Sequence, residues 1–284
     1  MNLLLLLLLG SLWGSSYLFI KIVVSEVPPT TLVAVRLALS AIIMWGVVLA
    51  SRQPIPRGRS LWGAYTVMGF FSGTLPYVLI SWGEQYIPSG LAALLQATMP
   101  LFTVIMAHFL IREERMTLWS ALGVAVGFGG VVLLMLPDLR QGLQASLIGQ
   151  LAIVGSSVSY ARATIFARVR LRDQPPLIST LGQLTMGAVL TLPLSLIIDR
   201  PFDLSPSLPA LGAWLGLAVL GTVIAYVIYY ALIERTSATY TSMVTYIIPV
   251  NGLILGALIL DEPLTATVLG SAALILLGVL LVRR

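Results

Sequence analysis

Leu91–Glu114, LAALLQATMPLFTVIMAHFLIREE, is an apolar run interrupted near its middle by Pro100 and closed by Arg112-Glu113-Glu114-Arg115. Tyr240–Glu262, YTSMVTYIIPVNGLILGALILDE, carries the same punctuation, with Pro249 in the middle and Asp261-Glu262 at the end. Thirteen residues separate Pro100 from Glu113, and thirteen separate Pro249 from Glu262. Two segments with one layout, one in each half, predict a duplicated chain. A proline inside a helix removes a backbone hydrogen bond and bends the axis. A kink without a function would account for one such proline. The same kink in both halves favours hinges, so Pro100 and Pro249 are read as the bending points of two moving walls.

Working outward, the 284 residues are 58% hydrophobic and 10% charged, against about 25% charged in a soluble domain. A water-soluble fold of this size cannot hide that much apolar surface, so the solvent is lipid. There is no cysteine and one histidine, His108. Disulfides, thiolate sites and cysteine nucleophiles are thereby excluded, and a histidine metal site has little to work with. The net charge of +5 does not indicate a nucleic acid, because the basic residues lie in short loops between apolar runs.

Segments of spanning length, about 20 residues each, fall near 2–24, 29–50, 61–82, 88–111, 117–136, 146–168, 176–198, 208–231, 237–260 and 264–282. Met1–Gly10 lacks a basic n-region and its apolar run continues to Val24, so it reads as a retained first span. With the N-terminus cytoplasmic, the inside loops hold Arg52, Arg57, Arg59, Arg112, Arg115, Arg168, Arg170, Arg172, Arg235, Arg283 and Arg284. The outside holds Lys21, Arg140 and Arg200. Eleven against three predicts both termini inside.

The duplication extends beyond the prolines. Trp13-Gly14-Ser15-Ser16 matches Val154-Gly155-Ser156-Ser157, Lys21 falls on Arg162, and Pro28-Pro29 on Pro175-Pro176. Gly73-Thr74 with Tyr77-Val78 resembles Gly221-Thr222 with Tyr226-Val227, and Glu84 falls on Glu234. Five spans per unit is an odd number, so the second copy enters the membrane upside down. The units are taken as 1–138 and 146–284. An inverted repeat places a substrate site near the midplane between its halves. Five G-x-x-x-G pairs, Gly10/Gly14, Gly69/Gly73, Gly123/Gly127, Gly212/Gly216 and Gly252/Gly256, predict close helix packing.

All eleven carboxylates lie at span ends or in loops. An ion-coupled pump commonly places one in the membrane interior, so the expectation is facilitated diffusion, or coupling through an unusual group. Arg36, the deepest cation, either meets an anionic substrate group or packs between helices and snorkels. Lys21 and Arg162 suit snorkelling or a gate pair, and His108 an interface position. Trp45, Trp62, Trp82 and Trp119 read as interface anchors. Trp13, Tyr77, Tyr160, Tyr226 and Tyr246 lie inside spans. A tyrosine hydroxyl in lipid needs a partner, so these faces point to a cavity or a neighbouring helix. Thr245 shares the face of Tyr246. Gln96, with Met99, faces the same wall as Thr103. The substrate-binding set is therefore Trp13, Tyr77, Gln96, Met99, Tyr160, Tyr226, Thr245 and Tyr246. No G-x-S-x-G, H-E-x-x-H or Asp-rich diphosphate motif is present, so an intramembrane enzyme is a remote reading.

On the inverted repeat, Trp13-Gly14, Arg36, Pro100 with Glu113-Glu114, and Pro249 with Glu262-Pro263, the whole chain resembles the drug/metabolite transporter superfamily in its EamA-type branch. Within that branch it is most similar to YddG-like exporters of aromatic amino acids and cationic drugs. It departs from the pattern at Val154-Gly155, which lacks the Trp-Gly step, and at Gly182-Gln183, where the first repeat has Arg36. The expected fold is an all-α integral membrane protein, with ten transmembrane helices as two inverted five-helix repeats and both termini cytoplasmic. The resemblance implies a multi-pass protein of the inner (plasma) membrane. It would export small metabolites, aromatic or neutral amino acids first, by alternating access through a central cavity. Sugar-phosphate or nucleotide-sugar exchange and multidrug export are the alternatives. The expected partners are a small-molecule substrate and the bilayer, with no nucleic acid, cofactor or metal, and a monomer as the working state.

Overall fold

The computed structural model describes residues 1–55, 58–111, 114–140 and 144–282. Arg112 and Glu113 of the opening stretch, and Arg57, Arg283 and Arg284 of the orientation count, lie outside the described residues. Among those described there is no strand. Helix α1 is Asn2–Val24, α2 Pro29–Ala50, α3 Arg59–Gly83, α4 Ser89–Leu110 and α5 Leu118–Arg140. Then follow α6 Ala145–Arg170, α7 Pro176–Ile198 and α8 Leu208–Arg235. Helix α9 comprises Ala238–Thr241 and Val244–Ile259, and α10 is Ala266–Val282. Prolines open α2 and α7 at the first position, where a missing N–H costs nothing.

Seven of these helices are long and apolar enough to cross a membrane: α1 to α5, α7 and α8. The apolar stretches of α9 and α10 are shorter. Helix α6 has 26 residues but carries Arg162, Arg168 and Arg170 in its second half.

The helix pairings survive exchange of the two halves. Helix α2 packs on α7, α4 on α9 and α5 on α10, each against its counterpart. Helix α1 packs on α8 and α9, as α6 packs on α3 and α4. Glycine permits the closest of these approaches. A Cβ on Gly278 would lie 2.5 Å from the Gly127 nitrogen, and one on Gly123 would lie 2.6 Å from the Gly278 carbonyl oxygen. Gly69 meets the backbone of Gly187 on α7 in the same way. The expected pair Gly212/Gly216 does not behave so. Gly212 has open space beside it and Gly216 faces the ring of Phe19, because α8 meets α1 there through a large side chain.

The carboxylates at helix ends have a use that position alone did not show. Asp199, after α7, accepts from the Thr31 amide and hydroxyl at the start of α2, each at 2.8 Å. Glu262, after α9, accepts from the amides of Ser89 and Gly90 at 2.6 and 2.9 Å. Glu26, after α1, accepts from the amide and hydroxyl of Ser207 at 2.6 Å. Asp138, near the end of α5, accepts from Ser146 Oγ at 2.8 Å and from Gln150 Nε2 in α6. A helix start exposes unpaired N–H groups and the positive end of its dipole, so an acid from a neighbouring helix end both satisfies and attracts it.

Candidate functional site

Helices α3 and α8 each contain one stretch of π-helix, Gly69–Thr74 and Val219–Ile224. These include Gly73-Thr74 and Gly221-Thr222, the paired steps of the two halves. A π-turn displaces the backbone ladder by one residue and recurs at functional sites. Here Thr222 Oγ1 bonds back to the Leu217 carbonyl, five residues earlier. From α7, Gln183 Oε1 accepts from Ser72 in the α3 π-turn at 2.9 Å. From α2, Arg36 Nε donates to Thr222 Oγ1 in the α8 π-turn at 3.1 Å. Equivalent positions thus grip the π-turn of the opposite half, and only one of them carries charge.

Arg36 is 4% exposed. It does not snorkel; its guanidinium carbon stands 4.0 Å from the centre of the Tyr77 ring. Tyr77 meets Tyr160 edge-on at 6.4 Å. On the other side Trp13 contacts Tyr226 at 6.1 Å and Tyr229 at 5.5 Å, and Tyr226 stacks on Tyr230 at 6.1 Å. Tyr230 shares a 2.6 Å hydrogen bond with Thr180 of α7. The charge of Arg36 acts on Tyr17, Tyr160 and Tyr226 together, so α1, α3, α6 and α8 bring aromatic side chains around the one cation that α2 supplies. Among the described residues Thr222 is the hydrogen-bond partner found for Arg36. The terminal nitrogens of its fork therefore remain available to a planar anion.

Of the sequence-predicted set, Trp13, Tyr77, Tyr160 and Tyr226 come together here. Gln96 instead accepts from Ser156 of α6 at 2.5 Å. Its Nε2 is buried and has no partner among the described residues. Met99 follows directly after the break in α4, and its carbonyl accepts from Thr103. Tyr246 packs with Val104, Val124 and Phe128 around Leu101, Val279 and Val282. Thr245 donates back to the Ser242 carbonyl. Tyr246 thus belongs to the α4–α5–α10 side of α9.

The two prolines are not equivalent in detail. Helix α4 breaks at Ala97-Thr98, and Pro100 takes the second position of the new helix. Helix α9 breaks at Ser242-Met243, and Pro249 lies inside the continuous segment that follows. Lys21 does not reach for water either; its Nζ donates to the carbonyls of Glu84 at 2.5 Å and Ile87 at 2.9 Å. Arg162 is exposed. Glu84 follows the end of α3, as expected of a span-end acid, and the fold closes over it completely.

Reading by residue singled out neither Tyr17 nor Tyr229, Tyr230 or Thr180. Tyr17 is one helical turn from Trp13, and Tyr230 one turn from Tyr226. The i, i+4 rule marks both as sharing a face with a residue already chosen. Thr180 carried no such signal, because its partner lies on another helix.

Residues 1–136 and 147–284 each match the sequence model of the EamA-like transporter family. The chain belongs to that family. Among proteins similar to this EamA-like chain is the uncharacterized transporter YoaV of Bacillus subtilis, 24% identical over 94% of this chain and 91% of its own. The uncharacterized inner membrane transporter YedA of Escherichia coli is 28% identical over 86% and 78%. The WAT1-related chloroplastic protein At3g02690 of Arabidopsis thaliana is 25% identical over 95% and 66%. A crystal structure of a protein 17% identical in sequence superposes with a TM-score of 0.70 over 99% of this chain and 96% of the other, which shows the shared fold. The family, its transporter relatives and the apolar helices make this a multi-pass membrane transporter of the EamA group. That agrees with the expectation of a non-enzyme.

Proposed function

We propose that this EamA-like protein exports neutral or aromatic amino acids, binding the substrate carboxylate at Arg36 and its side chain among Trp13, Tyr77, Tyr160 and Tyr226. The observation that carries this is the buried guanidinium with one donor on Thr222 and its terminal nitrogens available. Bidentate Arg–carboxylate pairs are strong and directional away from water. The surrounding rings suit a flat apolar side chain, and the tyrosine hydroxyls can accept from an ammonium group.

Exchange-symmetric pairing of the helices supports ten membrane-crossing helices in two inverted five-helix units, 1–138 and 146–284. In such a fold one half rocks against the other around a fixed site. Acid-capped helix starts on one face would act as the latch, and α4 and α9, each broken near its proline, as the moving walls. The chain would sit in the inner (plasma) membrane with both ends cytoplasmic, in keeping with the basic loops, and the monomer contains every residue of the site.

Sugar-phosphate exchange wants several inward cations. Arg36 faces the cluster, while Lys21 is committed to backbone carbonyls and Arg162 is exposed, so that alternative is weaker. The test is uptake of labelled phenylalanine by proteoliposomes preloaded with unlabelled phenylalanine. Saturable exchange that is lost in Arg36→Ala supports the reading. Exchange indifferent to Arg36 would overturn the assigned site, and none in the parent protein would overturn the substrate class.

A further inference from the structure

Five helices, α1, α3, α5, α7 and α9, finish on the face where the even-numbered helices begin, and each brings an acid there. Glu26, Asp138, Asp199 and Glu262 bond to the start of α8, α6, α2 and α4. Glu84, which ends α3, bonds to none of them. It is 0% exposed, and neither carboxylate oxygen has a hydrogen-bond partner among the described residues. Ser81, one turn earlier on α3, also has a buried hydroxyl without a partner.

A carboxylate in such a place is costly as an anion, because burial without hydrogen bonds forfeits its hydration. A neutral acid tolerates it. Lys21, the cation bonded to the backbone of Glu84, does not offset the charge directly. Lys21 Nζ is held on the backbone carbonyls of Glu84 and Ile87, the two that close α3 and lead to Ser89. The titratable and charged groups acting on Glu84 are Lys21 and Tyr17 from α1, Glu262 from the end of α9, and Arg36 from α2. Helix α6, which touches α3 here through Gly149 and Ile153, adds no charge. The cluster therefore has two self-consistent states. In one, Glu84 is protonated and Lys21 ties the end of α3 to the start of α4. In the other, Glu84 is ionised, Lys21 pairs with it, and those carbonyls are released.

We propose that Glu84 is a proton-binding site, and that its deprotonation, with transfer of Lys21 from the backbone to the carboxylate, accompanies opening of the face latched at Ser89. The O–H bond of the carboxyl breaks, the proton passes to water entering from that face, and the ammonium neutralises the carboxylate. Reprotonation reverses each step. Coupling of this proton to substrate rests on the transport reading above; the proton site itself does not.

The purified full-length protein in lipid nanodiscs is titrated by difference infrared spectroscopy. The expected result is a protonated-carboxyl C=O band that is sensitive to deuteration, is lost as pH is raised, is absent in Glu84→Gln and returns shifted in Glu84→Asp. No such band, one unaffected by Glu84→Gln, or one that persists at every pH at which the protein stays folded overturns the proposal. In proteoliposomes an imposed pH gradient should change the plateau of labelled phenylalanine, and Glu84→Gln, which cannot deprotonate, should abolish that change and slow exchange. Exchange with a plateau indifferent to the gradient overturns the coupling and leaves the substrate reading intact. Absence of phenylalanine exchange in the parent protein defeats the substrate reading, and the infrared titration then decides the proton site alone.

Discussion

The guanidinium of Arg36 lies against the face of the Tyr77 ring, 4.0 Å from carbon to ring centre. Arg36 comes from α2 and Tyr77 from α3, while the hydrogen bond that orients the guanidinium goes to Thr222 in α8. One side chain thus ties three helices from both halves. A desolvated cation–π pair is worth about 2 kcal/mol, and an arginine fork gives planar recognition that a lysine ammonium cannot. Arg36→Lys should therefore keep the charge but weaken phenylalanine affinity by roughly tenfold or more. Equilibrium binding to the detergent-solubilised protein checks this, and unchanged affinity would remove Arg36 from the site.

Glu262 receives the first two amides of α4, at Ser89 and Gly90. Glu262→Gln keeps one acceptor but loses the charge opposite the helix dipole. It should lower stability by about 1 kcal/mol, seen as a lower Tm in detergent. Because this cap joins α9 to α4, the same variant should also change the exchange rate. A lower Tm with unaltered exchange would make the contact structural only.

Glu26 lies outside the membrane-spanning segments and titrates in an informative direction. Hydrogen bonds from the Ser207 hydroxyl, and then from its amide, hold the carboxyl below its ordinary value. A depressed acid contributes stability that is present above the ordinary value and lost as pH falls through the lowered one. The Tm advantage of the parent protein over Glu26→Gln should be complete near neutrality and should shrink as pH falls below the ordinary glutamate range. An advantage that grows on acidification would contradict the contact.

Pro249 lies inside a continuous helix, whereas Pro100 sits at the second position of a helix start. Alanine at 249 adds an N–H that can join the helix ladder, while alanine at 100 adds one at a position that needs none. Pro249→Ala should slow exchange several-fold with membrane insertion unchanged, and Pro100→Ala should have the smaller effect. Identical kinetics in both variants and the parent would end the hinge reading.

Close approach of α5 and α10 depends on Gly123, Gly130 and Gly278. A leucine at Gly278 would collide with the backbone of α5, and overpacking of this kind costs about 1–3 kcal/mol or more. Gly278→Leu should fail to accumulate in membranes, while Gly212→Leu, facing open space, should accumulate normally. Equal accumulation would show that the helices separate at little cost.

Apolar runs of spanning length, proline punctuation and paired motifs are local properties of the chain, so helix positions and the duplication are legible from sequence. Helix α2 begins at Pro29 and α7 at Pro176, as the Pro-Pro steps indicated. Trp13, Tyr77, Tyr160 and Tyr226 were recognisable because a polar or aromatic group within an apolar run stands out against lipid. Tyr246 stood out equally and yet packs on the cluster of Leu101, Val279 and Val282, because helix periodicity defines faces without naming the neighbour each face meets. Contacts between helices distant in sequence decided the rest. They placed Arg36 on Tyr77 and Thr222, gave Glu26, Asp199 and Glu262 a helix start to cap, tied Asp138 to side chains of α6, and left Glu84 buried with none. Composition and periodicity alone determined that this chain folds in lipid as a repeated set of apolar helices. Burial and pairing of its few charges were settled only by the packing of α1, α2, α3 and α9, since the energy of a charge depends on what surrounds it in space.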